Sequence, residues 1–321
     1  MAANLAIDLE NVAKTYTSPF RESIHALRGI DMKVHRGEVF GLLGPNGAGK
    51  STLVKILMTV IRPTQCKGTV LGQPVGDKHT LLKVGYLPEH HSFPPYLTGR
   101  QLIEFFGAMN NIKRADRKRR AGELLELVGM KDWGKKKLKS YSKGMRQRIG
   151  IAQALINDPD LVLLDEPTDG VDPVGRRDIR AILDRLRAEG KTVLVNSHIL
   201  SELEQVCSRV AILVQGQVAS QGTIDELTAG RERYEIQIAS EQGEVLAGFA
   251  SATAEVKDST LKLTSVEPQS VQPYIDKIRA LNGTILSIKR TKPSLEDLFM
   301  EAVVDPTTGK ALAPGAARKS S

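Results

Sequence analysis

The stretch Gly44-Pro45-Asn46-Gly47-Ala48-Gly49-Lys50-Ser51-Thr52 completes the pattern G-x-x-x-x-G-K-[ST]. It follows Glu38-Val39-Phe40-Gly41-Leu42-Leu43, which reads as a strand, and precedes Thr52-Leu53-Val54-Lys55-Ile56-Leu57-Met58, which reads as a helix. That strand–loop–helix context separates a phosphate-binding loop from an ordinary glycine-rich turn. The glycines let backbone N–H groups curl around phosphate oxygens. The positive end of the following helix adds attraction for the same anions. Lys50 is expected at the β- and γ-phosphates of a nucleoside triphosphate, and the Ser51 hydroxyl on Mg2+.

Outward from this loop, strands alternate with helical periodicity. Upstream, Leu5-Ala6-Ile7-Asp8-Leu9 and Ile30-Asp31-Met32-Lys33-Val34 alternate as half-buried strands, and Gly37 marks a turn. Downstream, the loop helix is expected to end before Pro63. Thr98 is placed to cap a helix carrying Leu102, Phe105, Phe106 and Met109. A second helix carries Leu124, Leu125, Leu127 and Val128 and stops at Gly129, and a third follows Gly144. Leu161–Leu164 and Thr192–Val195 are buried strands on either side of an amphipathic helix over 174–189. This alternation predicts an α/β domain on a parallel sheet. Its expected extent is 4–230, with an antiparallel β part at the N-terminal end and a helical subdomain at about 90–156. A small α+β domain is expected over 231–303, from Tyr234–Ile238, Leu261–Leu263, a helix over 271–281, Thr284–Ile288 and a helix over 295–300. The stretch 304–321, rich in Pro, Gly, Ala and Lys, is expected to be a disordered tail.

Composition narrows the class. At 321 residues, two domains of unequal size are expected. No run of about 18 apolar residues occurs, so no membrane span is expected. Met1–Asp8 has neither a basic region nor an apolar core, so no signal peptide is expected and the expected location is cytoplasmic. The two cysteines, Cys66 and Cys207, are far apart and lack metal-ligand spacing. The net charge is +8. Its basic residues gather at Lys113, Arg114, Arg117, Lys118, Arg119, Arg120, Lys135, Lys136, Lys137 and Lys139. A solvated helical face, an anionic membrane surface and nucleic acid are three readings of that run, the last ranked third.

A second site feature is Leu161-Val162-Leu163-Leu164-Asp165, an apolar strand ending in a carboxylate. Such a strand delivers Asp165 to the sheet edge where α/β folds bind ligands, in position to hold Mg2+ through its water shell. Glu166 follows, re-aimed by the strand end and Pro167. A carboxylate beside a γ-phosphate orients and polarises an attacking water.

Tyr141-Ser142-Lys143-Gly144-Met145, followed by Arg146-Gln147-Arg148, resembles the signature motif of ABC-transporter ATPases, whose usual form is Leu-Ser-Gly-Gly-Gln. The rest of that family's pattern follows in order. Asp165-Glu166-Pro167-Thr168 is similar to its Walker B end with the catalytic glutamate, and Asp169-Gly170-Val171-Asp172 to its D-loop. His198, in Asn196-Ser197-His198, is similar to the switch histidine that donates to the γ-phosphate. Tyr16 resembles the aromatic residue that stacks on adenine, a role the π-face performs for any base. Glu89 stands where the family has its Q-loop glutamine. A carboxylate there still ligates Mg2+, and the metal offsets its repulsion of triphosphate. Ser142 and Gly144 are the hydroxyl and N–H expected at the γ-phosphate. Lys143 replaces a glycine and is expected to face solvent, with phosphate binding as the alternative. The resemblance covers residues 4 to about 228. The C-terminal part, above all Pro293–Met300, is similar to an accessory domain of export-type members.

The resemblance implies two ATP molecules sandwiched between the phosphate loop of one subunit and the signature of another. One loop and one signature per chain therefore imply a dimer, most simply a homodimer, formed on ATP binding. With no spanning segment, the pore belongs to a separate permease that places this subunit on the cytoplasmic membrane face. Phe93, Pro94, Pro95 and Tyr96 are either a coupling patch for that permease or a packed loop. A soluble ABC ATPase acting on ribosomes or nucleic acid is the second reading. A P-loop kinase is a third, which leaves the signature and His198 unexplained.

Overall fold

The computed structural model describes residues 4–18, 21–251, 254–263 and 267–304. The stretch expected to be a disordered tail lies outside them from residue 305 on. The first two strands, β1 (Leu5–Ser18) and β2 (Arg21–His35), are far longer than their alternating segments suggest. The register between them shifts five times, for instance between Leu9 and Val12. Each bulge flips the inward-facing set and breaks the period-two signal. After β3 (Val39–Leu43) and helix α1 (Lys50–Leu57) come β4 (Gln65–Val70) and β5 (Gln73–Pro74). These complete an antiparallel sheet of order β2-β1-β4-β5, which is the N-terminal β part.

The remaining strands of the larger unit are β6 (Val84–Leu87), β7 (Leu161–Asp165), β8 (Thr192–Asn196), β9 (Arg209–Val214) and β10 (Gln217–Thr223). They join β3 in a sheet of order β10-β9-β3-β8-β7-β6, parallel except for β10. Every residue of β3, β7 and β8 is buried. Strands covered on both faces read as continuous apolar runs, as these do. One core cluster joins Ile7, Leu9 and Ile30 of the antiparallel sheet to Phe40 and Leu163 of the parallel one.

Between β6 and β7 lie α2 (Gly99–Met109), α3 (Arg114–Leu127) and α4 (Lys143–Ala154), and α5 (Pro173–Ala188) and α6 (Leu200–Val206) flank β8. The Thr98 cap is present as a complete capping box. Thr98 Oγ1 accepts from Gln101 N–H at 3.2 Å, and Gln101 Oε1 accepts from Thr98 N–H at 2.9 Å. Thr98→Ala is expected to lower stability by about 1 kcal/mol, read as a shift in the denaturation midpoint. The α4 helix starts at Lys143, ahead of Gly144 rather than after it, because Ser142 caps it by accepting from Met145 N–H.

A second compact unit is Ile224–Met300, so the division falls a few residues ahead of the expected boundary near Gly230. It opens with α7 (Ile224–Thr228) and β11 (Arg233–Ile238). There follow β12 (Ala254–Lys257), β13 (Thr260–Leu263), α8 (Pro268–Ala280), β14 (Ile285–Thr291) and α9 (Leu295–Val303). The antiparallel sheet has order β12-β13-β11-β14. Ile236, Ile238 and Leu261 pack with Val271, Ile275 and Ile278 of α8. Among the described residues, no helix is long and apolar enough to cross a membrane. Both cysteines are free.

Candidate active site

The phosphate loop joins β3 to α1. Gly49 adopts φ 107°, and a Cβ there would lie 2.6 Å from the Ala26 carbonyl oxygen. Only glycine satisfies both demands at this position. The loop is pinned by Ala48 N–H donating to Pro45 O at 3.1 Å and by Gly216 N–H donating to Ala48 O at 3.0 Å. Ser51 and Thr52 occupy the first turn of α1, at its positive end. Lys50 is buried and donates through Nζ to Gly44 O at 2.6 Å and to Pro45 O at 3.3 Å. Burial pulls its ammonium below the usual lysine range, while Glu166, Asp165 and Glu89 oppose that shift.

Strand β7 carries Asp165 to the sheet edge, in register with Asn196 at the end of β8. Asn196 donates through Nδ2 to Asp165 Oδ1, and its own Oδ1 is buried without a hydrogen-bond partner. Burial raises the Asp165 carboxyl, against the hydrogen bond from Asn196. The next residue, Glu166, sits at φ 52°, in the left-handed region. Its N–H donates to Asn196 O at 2.8 Å. The turn aims its carboxylate at His198, whose Nδ1 lies 2.8 Å from Oε2. Burial raises Glu166 as well, with His198 pulling the other way.

The donor chemistry fits Mg2+. Among the described residues, no group of three or more His, Cys, Asp and Glu forms a cage that holds a metal alone. Mg2+ needs no such cage: it takes hard oxygen ligands, usually one or two carboxylates together with substrate phosphates and water. Asp165, Glu89 and Ser51 supply oxygens of that kind beside a loop built for phosphate.

Lys50, Glu89, Asp165, Glu166 and His198 are therefore brought together. Ser142, Gly144 and Asp172 form a separate group at the N-termini of α4 and α5. Asp172 caps α5 by accepting from Gly175 N–H at 2.7 Å, and a Cβ at Gly144 would lie 3.1 Å from Val171 Cγ1. Among the described residues, no hydrogen bond joins Ser142 or Gly144 to the phosphate loop. Tyr16 stands near the end of β1, 39% exposed, with Lys14 Nζ 5.0 Å from its ring centroid.

Lys143 is exposed, as expected, and its Nζ also donates to Asp169 Oδ2 at 2.7 Å, tying the start of α4 to the loop before α5. Phe93 and Pro94 are half-buried, with the Phe93 ring 5.0 Å from His91 and 6.3 Å from Phe106, whereas Pro95 and Tyr96 are exposed. Two contributors were not singled out from sequence. Asn196 holds Asp165 only because of strand register. Gln147 donates through Nε2 to Glu166 O at 3.5 Å, linking α4 to the end of β7.

A family model for the ABC transporter matches residues 27–169. An uncharacterised ABC transporter ATP-binding protein of Synechocystis is 40% identical over 92% of this chain and 83% of its own length. A daunorubicin resistance ATP-binding protein of Streptomyces coeruleorubidus is 34% identical over 94% of this chain and 97% of its own. A dimeric ATP-binding cassette solved with ADP and Pi shares the fold at TM-score 0.61 and 28% identity, covering 68% of this chain and 98% of the other. The chain belongs to the ATP-binding proteins of ABC transporters. It is an ATPase, and none of these relatives favours the reading as a ribosomal or nucleic-acid factor.

Proposed function

We propose that this chain powers export through a separate membrane subunit, hydrolysing ATP as one half of a pair of ATPase subunits. The observation that carries the catalytic part is Glu166. It is a buried carboxylate turned out of β7 by a left-handed residue, held by His198 and close to the Lys50 ammonium. In this reading Glu166 accepts the proton of the attacking water. His198 fixes the carboxylate through Nδ1, on the γ-phosphate side. Lys50 and backbone N–H groups of the phosphate loop bind the phosphates. Ser51, Asp165 and Glu89 would hold Mg2+, which would neutralise developing charge on the phosphoryl oxygens. Tyr16 stacks on the base.

Pairing is supported by the separation of the two halves within one chain. Among the described residues no hydrogen bond joins Ser142 or Gly144 to the phosphate loop, and they stand at the N-terminus of α4, an end suited to an anion brought by a second subunit. The solved relative with ADP and Pi is itself dimeric. Export is supported by the relatives named for daunorubicin and linearmycin resistance. The cargo is selected by the membrane subunit, on whose cytoplasmic side this chain sits.

Affinity purification from membranes tests the reading as a whole. A multi-span membrane protein is expected at near-equal stoichiometry; recovery with ribosomes or nucleic acid instead would overturn it. For the base contact, Tyr16→Ala is expected to raise KM for ATP by about 5- to 150-fold, the worth of one stacked base, with kcat little changed. Steady-state kinetics with ATP and GTP would show both nucleotides affected alike.

A further inference from the structure

The ten basic residues over 113–120 and 135–139 do not form one surface. In α3, Arg119 is paired with Glu123 at 2.7 Å. Arg120 donates to the carbonyl oxygens of Ile156 and Leu155 at 2.8 and 3.0 Å, and Arg117 to that of Ile112 at 3.3 Å. These guanidinium groups hold the helical subdomain together. Lys135, Lys136, Lys137 and Lys139 are all exposed, and none has an ion-pair partner among the described residues, as is also true of Lys113, Arg114 and Lys118.

Their backbone is fixed in place. Leu138 N–H donates to Leu97 O at 2.8 Å, Lys139 N–H to Pro95 O at 3.1 Å, and Arg100 N–H to Gly134 O at 2.9 Å. Thr98 and Lys137 form an antiparallel bridge. The pairing sets the lysine run beside Tyr96, which is 69% exposed, and next to Trp133, which is 43% exposed. The Trp133 ring meets Tyr141 edge-on at 6.3 Å, and Tyr141 Oη donates to Trp133 O at 2.7 Å. Between residues 131 and 140 the single acid is Asp132, and Lys131 is drawn to Glu126 at 3.3 Å. Backbone pairing thus sets four ammonium groups, without an ion-pair partner among the described residues, beside two exposed amphipathic rings.

We propose that this surface, Tyr96 and Trp133 with Lys135, Lys136, Lys137 and Lys139, binds an anionic bilayer surface directly. The proposal rests on the reading above only in placing the chain at a membrane. The chemistry selects lipid over water. Lysines near an anionic leaflet gain about 1 kcal/mol each, close to five-fold in partition per charge. Tyrosine and tryptophan prefer the headgroup level, where one end of the ring is apolar and the other wet. The flexible lysine stems reach phosphates without moving the backbone.

Trp133 is the chain's one tryptophan, so its emission reports on this surface alone. The full chain is mixed with vesicles of phosphatidylcholine, or of phosphatidylcholine with phosphatidylglycerol, and followed by co-sedimentation and by Trp133 fluorescence. Expected are binding only to the anionic vesicles, weakening as salt is raised, and a blue-shifted emission quenched by brominated lipid. Each Lys→Gln substitution among the four should lower the partition coefficient about five-fold. Tyr96→Ala should weaken binding with its salt dependence kept. ATPase activity in solution should be unchanged in all of these variants, which separates failure of the lipid contact from failure of the ATPase reading. Binding without a Trp133 shift, equal binding to neutral vesicles, or binding indifferent to the lysines would overturn the proposal. So would loss of the membrane subunit from the purified complex on Lys→Gln substitution without loss of vesicle binding, since the surface would then serve a protein.

Discussion

Glu166→Gln protein is expected to bind ATP normally, to hydrolyse it at least about a hundred-fold more slowly, and to accumulate as a dimer in Mg-ATP. Proton transfer by a positioned base contributes typically 10²–10⁴-fold, and glutamine keeps the shape while losing the proton acceptor. Its amide still reaches the ring nitrogen that lies 2.8 Å from Glu166 Oε2, so the local structure survives. With the closed state favoured by ATP and never released by hydrolysis, the population shifts towards the dimer. Single-turnover kinetics and light scattering measure the two effects separately. Slow turnover by a protein that stays monomeric would remove the pairing and leave the base in place. Near-normal turnover would remove Glu166 from the chemistry.

Lys50→Ala should fail at the opposite end of the cycle. The ammonium donates charge-assisted hydrogen bonds, each worth about 1.5–3 kcal/mol, so ATP affinity is expected to fall about 10- to 150-fold. Turnover at saturating ATP should also fall at least about a hundred-fold, because a cation clamping the transferred phosphoryl group acts most strongly in the transition state. Without it, Glu89, Asp165 and Glu166 face incoming triphosphate with no fixed counter-charge. Titration with a fluorescent nucleotide and light scattering should find weak binding and no ATP-induced dimer. One substitution therefore blocks capture and the other blocks release. Unchanged affinity in Lys50→Ala would contradict the assigned phosphate contact.

Much of this site was legible because its parts are contiguous in the chain. The phosphate loop, the apolar run into Asp165 and Glu166, and Ser142 ahead of its helix each carry a local pattern that local physics enforces. Thr98 announces its helix in the same way, since the cap and Gln101 are three residues apart. What was not legible depends on register and approach. Nothing in Asn196 itself says that it faces Asp165; that follows from β7 and β8 lying parallel with these residues aligned. The lengths of β1 and β2 were hidden by bulges. The Lys143–Asp169 pair needs α4 and the loop before α5 to meet, and 26 residues separate them in sequence. The basic run over 113–139 was visible as composition, yet only packing shows that Arg117, Arg119 and Arg120 are engaged while Lys135, Lys136, Lys137 and Lys139 have no ion pair among the described residues.

The backbone at Glu166 has a further consequence, for how this site persists over generations. A residue other than glycine held at φ 52° and followed by proline costs on the order of 1–3 kcal/mol. Glycine at this position would relieve the turn and remove the carboxylate together, yielding a more stable protein with no catalysis. Mutation alone therefore pushes the position away from its present state, and only selection on turnover retains it. A duplicated copy released from that selection should lose glutamate at 166 early, while its buried strands and phosphate loop still look intact.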